Sequence, residues 1–367
     1  MASGFAQWGN NLHTGRKSYD IVGRRRTWYI IATIFVVASI TLLSTKGLTL
    51  GIEFKGGSQF TVSGTSTTRQ QPATDAVHSV APSESALVSN IGSQAIRVET
   101  AKLSVAEVES VRVALGKAYG VPVNNITFSF IGPSWGADVS SKAITALVVF
   151  LALLAVVMTA YFRAWRMAVA ALVALAHDLF FTVGMYSLVG WEVTPATAIG
   201  FLTILGYSIY DTVVVFDKVR ENTHGVLDQS RSTYAEMANL AVNQTLVRSI
   251  NTSVVALLPV SAILFVGTFI LGPGTLRDIS LALFVGMAIG TFSSVFLATP
   301  LEVTLRQHEP AIAAHTAKIH ALRAQVADGG STADVALAAG AASRAHLLPG
   351  QHLGTAAQPK RHKPGKR

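Results

Sequence analysis

The sequence predicts a polytopic α-helical membrane protein, with six transmembrane helices and one α+β extracytoplasmic domain between the first and second helices. Three observations support this prediction. Only 13% of the 367 residues are charged, against about 25% in soluble domains. The apolar residues fall into six runs, each long enough to cross a bilayer. The interval between the first two runs contains segments in which apolar and polar residues alternate, as they do in half-buried strands.

The six apolar runs are the predicted transmembrane helices. A hydrocarbon core of about 30 Å requires roughly 20 residues of helix at about 1.5 Å each. The first run follows three arginines, as a signal peptide would, but it is too long for one and no small-residue cleavage signal follows. We therefore interpret it as an uncleaved signal anchor. The predicted spans cover residues 27–45, 144–162, 167–189, 196–216, 250–271 and 279–303.

The distribution of Lys and Arg predicts the orientation of these spans. Cytoplasmic loops carry an excess of basic residues, and an even number of spans places both termini on one side. Most of the 29 basic residues lie in the segments of that side, whereas the two short loops of the other side contain Arg277 alone. Both termini are therefore predicted to be cytoplasmic. The net charge of +9 then reflects topology and attraction to anionic membrane lipids, with no specific nucleic-acid partner.

Residues 46–142 form the predicted extracytoplasmic domain. Strands are expected at 58–64, 95–99 and 125–132, with Ile126, Phe128 and Phe130 on one face of the last. Helices are expected between the strands. Ser104 followed three residues later by Glu107 is a capping-box pattern, typical of a helix start. The alternation predicts a small α+β domain with its helices on one face of a sheet. The predicted helices cover 73–90 and 104–119, and 65–72 is predicted to be a loop.

The remaining segments are predicted to be cytoplasmic. Residues 1–26 form the N-terminal segment, and 143–303 form a five-helix transmembrane bundle. The charge spacing within 217–247 favours a helical hairpin lying against the cytoplasmic face. The tail, 304–367, is basic and poor in residues that could pack, so we expect it to be largely disordered, with a short helix near 311–327. Such a tail is either simply solvated or attracted to anionic lipid or ribosomal RNA.

Two acidic residues, Asp178 and Asp211, lie well inside the predicted spans and away from their ends, and they are the best candidates for function. An ionisable side chain at membrane depth is expensive unless it is paired or hydrated. Asp178 lies eleven residues into the third span, near the midplane, and Asp211 lies closer to the cytoplasmic end of the fourth. Desolvation favours the protonated carboxyl, and a proton relay uses both protonation states in turn. For each aspartate, the alternative is a structural role, in which a hydrogen-bonded carboxyl group only stabilises helix packing.

Other residues supply weaker signals. His177 lies next to Asp178 but about 100° around the helix, and a buried histidine usually has a structural role. Gly286 and Gly290 form a GxxxG pattern that serves packing, either within the chain or against another subunit. A cluster of polar side chains could lie at the same membrane depth as Asp211 and form hydrogen bonds there. Its members are Tyr207, Ser208, Asn251, Thr252 and Ser253.

Several classes of chemistry are excluded. The chain has no cysteine, which excludes disulfides, thiol nucleophiles and cysteine metal sites. The HExxH and GxxxxGK[ST] motifs are absent, and the His177–Asp178 pair has no nucleophile at a recognisable spacing, so the sequence predicts no catalytic residue, metal site, cofactor or ATPase activity.

The motifs together resemble the SecF family, accessory subunits of the bacterial Sec machinery within the resistance-nodulation-division superfamily. Glu53 stands where the family has Asp, Lys218 where it has Arg, and Ile279 where it has Phe. The matching segments are 51–57 (GIEFKGG), 131–134 (IGPS), 177–178 (HD), 206–222 (GYS to REN), 243–253 (NQTLVRSINTS) and 275–278 (TLRD).

This resemblance implies half of a transporter in the bacterial cell membrane. The other half would be SecD, and the pair would join the SecYEG channel and use the proton motive force at late stages of preprotein export. Asp178 would then be the leading proton-carrying carboxylate, with Asp211 in support. Two alternatives stay open on the residues: a half-size proton-coupled exporter of lipids or small molecules, and a non-transporting membrane scaffold.

Overall fold

The computed structural model describes residues 4–84, 86–91, 94–268 and 275–327 of the chain. Within them, six helical segments are long and apolar enough to cross a membrane, which confirms the predicted number of spans. The first is α2, and α1 precedes it. The bounds of these helices are α1 Gly4–His13, α2 Arg25–Thr45, α6 Pro133–Phe162, α7 Trp165–Val189, α8 Pro195–Thr223, α9 Tyr234–Val266 and α10 Thr275–Ser293.

The last span has a break in its helical geometry. After α10, a π-helical turn covers Ser294–Ala298, and α11 then runs over Thr299–Arg306. A π-helical turn inserts extra backbone into an α-helix and often marks a functional position. The two serines at the end of α10 and the start of this turn, Ser293 and Ser294, are fully buried.

The bundle has an inner and an outer set of helices. The spans α7, α8 and α10–α11 are about half buried, whereas α2, α6 and α9 expose most of their apolar surface. Small residues allow the inner helices to approach closely, because a Cβ on Gly200 would lie 2.7 Å from Cβ of Ala282. The interior of the bundle is therefore where polar groups are shielded from lipid.

A four-stranded sheet forms the core of the domain between α2 and α6. Its order is β3–β4–β2–β5, and all neighbours are antiparallel. The helices pack on the face that carries Phe60, Val62 and Ile96, and Arg97 and Glu99 alternate onto the other face. The bounds are β2 Gly57–Ser63, α4 Gln71–Val80, β3 Leu87–Ile91, β4 Ala95–Thr100, α5 Val105–Tyr119 and β5 Ile126–Ile131.

Two of the sequence predictions for this domain need correction, and one is confirmed. The helix predicted over 73–90 ends at Val80, and an unpredicted strand, β3, follows, because Pro82 interrupts helical hydrogen bonding. Ile126, Phe128 and Phe130 do share one face of β5, and Phe128 and Phe130 are 40% and 46% exposed because β5 is an edge strand. The helix α6 begins at Pro133, before the predicted limit of the domain at residue 142, because proline suits a first helical turn.

Short segments join this domain to the bundle. Strand β1, Thr49–Leu50, pairs in parallel with β6, Glu192–Val193, which lies between α7 and α8. The short helix α3, Ile52–Lys55, packs on the start of α6, and a Cβ on Gly136 would lie 2.4 Å from the Phe54 carbonyl oxygen. Gly57 has φ 147°, and a Cβ there would meet the Thr100 carbonyl oxygen. Glycine is therefore required at both close approaches.

The side of the bundle opposite the α+β domain also differs in detail from the sequence prediction. The N-terminal segment contains the unpredicted helix α1, whose Leu12 packs in a core with Val215 and Val242. The hairpin predicted over 217–247 consists of the ends of the spans α8 and α9.

Among the described residues, 225–233 and 310–327 form a second compact unit. It contains α12, Pro310–Ala327, in which His315 Nε2 lies 2.7 Å from the carbonyl oxygen of Gln229. The tail predicted to be largely disordered begins at residue 304, but 304–306 belong to α11, and the short helix expected near 311–327 is present as α12. Residues 328–367 lie outside the described part of the chain.

Candidate functional site

Asp178 lies in the interior of the bundle, on α7, and its side chain is fully buried. Its Oδ2 accepts hydrogen bonds from Ser208 Oγ of α8, at 2.6 Å, and from Ser293 Oγ of α10, at 2.7 Å. Its Oδ1 lies 3.2 Å from Nδ1 of His177. Three helices therefore surround this carboxyl group with hydrogen-bonding side chains.

Asp211 has a similar environment one helix away. It is 5% exposed on α8, and its Oδ1 accepts a hydrogen bond from Ser249 Oγ of α9 at 2.8 Å. Ser294 Oγ donates to Oδ2. Because Ser293 and Ser294 are consecutive, one helix holds both carboxyl groups through neighbouring hydroxyls. The two aspartates, which the sequence placed at different depths, thus form one site, which we call the aspartate–serine site (Asp178, Asp211, Ser208, Ser249, Ser293, Ser294).

The glycines of α10 make room for this site. A Cβ on Gly290 would lie 3.1 Å from Ser208 Oγ and 3.5 Å from Asp178 Oδ2. A Cβ on Gly286 would lie 2.2 Å from Cδ1 of Ile204, so a larger residue there would push α8 away. The GxxxG pattern, whose partner the sequence left open, thus faces α8 of the same chain.

The chemistry of the aspartate–serine site suits two protonation states. A hydroxyl donates a hydrogen bond to a carboxylate, and it accepts one from a protonated carboxyl group. The described residues form no Lys or Arg ion pair with either aspartate, and His177 is the titratable neighbour. Its other nitrogen, Nε2, is buried without a hydrogen-bond partner among the described residues. Serine hydroxyls can therefore solvate either aspartate whether or not it carries a proton.

The structure divides the polar cluster predicted around Asp211. Ser208 contacts Asp178 instead. Tyr207 donates to the Thr252 carbonyl oxygen at 3.3 Å, and Ser253 bonds Thr291 at 2.6 Å, so these residues link helices near the site without touching an aspartate. Asn251 is exposed on α9.

Sequence reasoning missed two important residues. Ser249 donates to Asp211, and no sequence signal distinguishes it from other serines of α9. Glu302 is fully buried in α11 and lies at the end of the predicted sixth span, where the rarity of acidic residues in membrane helices is the signal that identifies it.

A second group of carboxyls lies where the domain meets the bundle. Glu99 of β4 is 8% exposed, and it lies close to the carboxyl group of Glu192 of β6. Burial, reinforced by the negative Glu192, raises the pKa of Glu99 to about 8, while Arg97 Nη1, 3.9 Å away, opposes the shift. Burial raises the pKa of Glu192 as well. Glu53 Oε2 and Glu192 Oε1 both lie close to Gly51, where a Cβ would be 2.6 Å and 3.0 Å away. We call these three residues the interface carboxyls (Glu53, Glu99, Glu192).

The fold and site define a class: a multi-pass membrane protein with one α+β domain and hydrogen-bonded carboxyls in the interior of its helix bundle. Residues 112–308 match the family described as protein export membrane protein SecD/SecF, C-terminal, and 41–67 match the SecD/SecF GG motif. The chain belongs to the SecD/SecF family of protein export membrane proteins and is a multi-pass protein of a bacterial membrane.

Named relatives support this assignment over most of the chain. The protein translocase subunit SecF of Streptomyces coelicolor is 45% identical over 333 residues, which is 91% of this chain and 89% of that protein. The Mycobacterium leprae protein of the same name is 41% identical over 350 residues, covering 90% and 74%. The protein translocase subunit SecDF of Thermus thermophilus is 40% identical over 181 residues, 49% of this chain and 23% of that protein.

Solved structures show the same architecture. A crystal structure of SecDF, a translocon-associated membrane protein from Thermus thermophilus, superposes with a TM-score of 0.69 at 28% identity. A structure of SecDF in a super-membrane-facing form gives a TM-score of 0.59 at 29% identity. The first match covers 80% of this chain and 39% of the SecDF chain, and the second covers 82% and 40%. This chain therefore spans about two fifths of those SecDF chains.

Proposed function

We propose that this chain is a SecF-type accessory subunit of the Sec translocase, which promotes late stages of preprotein export through SecYEG together with SecD. Proton movement through the aspartate–serine site drives the process, and the chain itself hydrolyses no ATP. Protons enter from the side of the α+β domain and leave on the cytoplasmic side, where both termini lie.

The aspartate–serine site is the observation that carries this proposal. A packing device needs one fixed set of hydrogen bonds, whereas a proton carrier needs partners that accept both protonation states. Asp178 and Asp211 each have serine hydroxyls on two other helices or helical turns, and these hydroxyls can reverse their hydrogen-bond direction. A change in protonation would therefore alter the bonds that hold α7, α8, α9 and α10 together.

Movement of these helices would reach the outward domain through short connections. The loop between α7 and α8 contains β6, which pairs with β1 next to the domain. Asp278, near the start of α10, accepts a hydrogen bond from Thr194 at the start of α8, at 3.0 Å. This hydrogen bond links α8 and α10 at the end of the bundle that is next to the domain. A shift of either helix would therefore displace the strand pair β1–β6. This supports coupling between the site and the domain.

An exposed polar surface on α8 and α9 supports the need for a partner subunit. Arg248 and Asn251 are exposed on α9, and Arg248 forms no ion pair among the described residues. Arg248 also lines two adjoining clefts of about 720 and 450 Å³. Polar side chains on the outer surface of the bundle are unfavourable in contact with lipid, so contact with a second helix bundle would be more favourable for them. We propose that SecD covers this surface, as the longer SecDF chains suggest.

The test is Asp178→Asn in membrane vesicles that contain the full translocase. Asparagine is similar in shape but cannot carry a proton, so we expect the part of preprotein export that depends on the proton gradient to fall by at least about tenfold. Asp75→Asn, an exposed residue of α4, is the matched control and should export normally.

The measurement must include the amount of inserted protein and the export driven by ATP alone. If Asp178→Asn inserts normally and retains the gradient-dependent part, the proton-relay proposal is wrong. A loss confined to unstable or poorly inserted protein would instead assign Asp178 to packing.

A further inference from the structure

Glu302 is a fully buried acidic residue outside the aspartate–serine site. It lies on α11, at the end of the bundle opposite the α+β domain. Its Oε1 accepts a hydrogen bond from the Tyr234 hydroxyl at 2.5 Å, and Arg306 Nη1 lies 3.8 Å from the same oxygen. The guanidinium of Arg306 also stacks 5.0 Å from the centre of the Tyr234 ring. One oxygen of the carboxyl group is therefore held firmly in place.

The other oxygen, Oε2, is buried and has no hydrogen-bond partner among the described residues. The hydroxyl of Thr299, which is also fully buried, has none either. These residues are three positions apart, so they lie on the same side of α11, one turn from each other. A buried oxygen without a hydrogen-bond partner is unfavourable, and two such atoms close together are suited to bind a chain of water molecules.

Thr299 and Glu302 lie further along the last span than the aspartate–serine site does. Ser294, which donates to Asp211, is five residues before Thr299 and eight before Glu302. At about 1.5 Å per residue, Glu302 is roughly 12 Å further along the helix, with Thr299 between them. The intervening turn is the π-helical segment Ser294–Ala298, where the backbone departs from regular α-helical geometry. The distance is too long for one hydrogen bond but short enough for a few bridging waters.

On its far side, Glu302 is connected to charged groups that reach solvent. Arg306 Nε lies 3.2 Å from Glu309 Oε1, and Arg166 Nη1 of α7 lies 2.6 Å from the same oxygen. The side chains of these three residues are between 23% and 30% exposed. Glu302 thus lies between the buried aspartate–serine site and a partly exposed charged cluster, where a proton leaving the bundle would need an acceptor.

We propose that Glu302 receives the proton from the aspartate–serine site and passes it to the cytoplasm. An O–H bond breaks at the aspartic acid, the proton moves along water and the Thr299 hydroxyl, and an O–H bond forms at Oε2 of Glu302. The proton then leaves to cytoplasmic water near Glu309, and no electrons are transferred. This inference rests on the proposed function. The charged and titratable groups that face Glu302 are Tyr234 from α9, Arg306 from α11 and, through Arg306, Glu309 and Arg166.

The experiment compares Glu302→Gln with Tyr234→Phe and Glu302→Asp in the complete translocase. Glutamine keeps the size and the hydrogen bond to Tyr234 but cannot take up a proton. We expect Glu302→Gln to reduce gradient-dependent export by at least about tenfold, with ATP-driven export unchanged. Tyr234→Phe keeps the acid but removes the hydrogen bond that the Tyr234 hydroxyl donates to Glu302 and the one that it accepts from Arg306. It should reduce gradient-dependent export by less than about fivefold. Glu302→Asp should restore part of the activity.

A second measurement separates proton transfer from anchoring. The dependence of export on cytoplasmic pH should change in Glu302→Gln and stay as in the parent protein in Tyr234→Phe. Equal losses and equal pH profiles in the two variants would assign Glu302 to anchoring and overturn the proposal, as would normal export by Glu302→Gln. If Asp178→Asn loses export while Glu302→Gln does not, this inference alone is wrong. If Asp178→Asn also exports normally, the proposed function is wrong.

Discussion

Two groups of buried carboxyls lie at different levels of this molecule, and they are solvated in different ways. In the aspartate–serine site, each carboxyl group is surrounded by hydroxyls, and the described residues provide no Lys or Arg partner. Among the interface carboxyls, acids face each other, with Arg97 nearby. Hydroxyls tolerate both protonation states, whereas two facing carboxyls favour a shared proton. The first arrangement suits a carrier, and the second suits a contact that protonation stabilises.

The largest expected difference between the two regions is in export. Asp211→Asn should reduce gradient-dependent export by at least about tenfold, because the amide cannot carry a proton. Glu99→Gln should export nearly normally at neutral pH, since with its pKa raised to about 8 this carboxyl group is mostly protonated there, and glutamine resembles that state. Export in vesicles with matched protein levels measures both. Equal losses in the two variants would remove the distinction between the two regions.

A smaller difference is expected in the pH dependence of stability. Glu99 has a folded-state pKa of about 8, above its ordinary value of 4.5, because burial and the negative Glu192 disfavour ionisation. Its stabilising contribution is therefore fully present below the ordinary pKa and is lost as the pH rises through about 8. The unfolding temperature of the purified protein should fall between about pH 5 and about pH 9. Glu99→Gln should flatten this fall, and Glu109→Gln, an exposed control on α5, should not.

The slope of unfolding temperature against pH decides this prediction. If Glu99→Gln and the parent protein show the same slope, the interface carboxyls do not share a proton, and the contrast with the aspartate–serine site weakens.

The smallest expected effects come from two single hydroxyls. Ser104→Ala removes the cap of α5, where the serine hydroxyl and Glu107 form a capping box, and should lower stability by about 0.5–2 kcal/mol without changing export. Ser293→Ala removes one of the two hydroxyls on Asp178, and an effect of about 1 kcal/mol should lower gradient-dependent export a few-fold. Chemical denaturation and vesicle export measure the two outcomes. An export defect in Ser104→Ala would show that export depends on domain stability in general.

Much of the fold could be predicted because its signals are local. Apolar runs identify the spans, since hydrocarbon excludes charged groups wherever the chain folds. The cap at Ser104 depends on four consecutive residues and was read correctly. Strand β3 was missed because a helical pattern was extended past Pro82. The exposure of Phe128 and Phe130 could not be predicted, because a strand pattern does not reveal whether the strand lies at a sheet edge.

The candidate site was predictable only in part. Asp178 and Asp211 stand out because acids are rare inside spans. Their serine partners do not stand out, since serine is common in membrane helices and the bonds join residues from 30 to 115 positions apart. Asn251 fits the expected pattern, yet it lies on an exposed face of α9.

The sequence by itself therefore determined the number of spans, the insertion of an α+β domain and the two acids in the bundle, because hydrophobicity and charge act on each residue independently of its distant neighbours. The tertiary structure decided that Ser293 and Ser294 join Asp178 to Asp211, that Glu99 meets Glu192, and that Glu302 is buried beside Tyr234. These contacts depend on how helices and strands distant in the chain pack together. A hydrogen bond extends only about 3 Å, so it forms only where that packing brings donor and acceptor together.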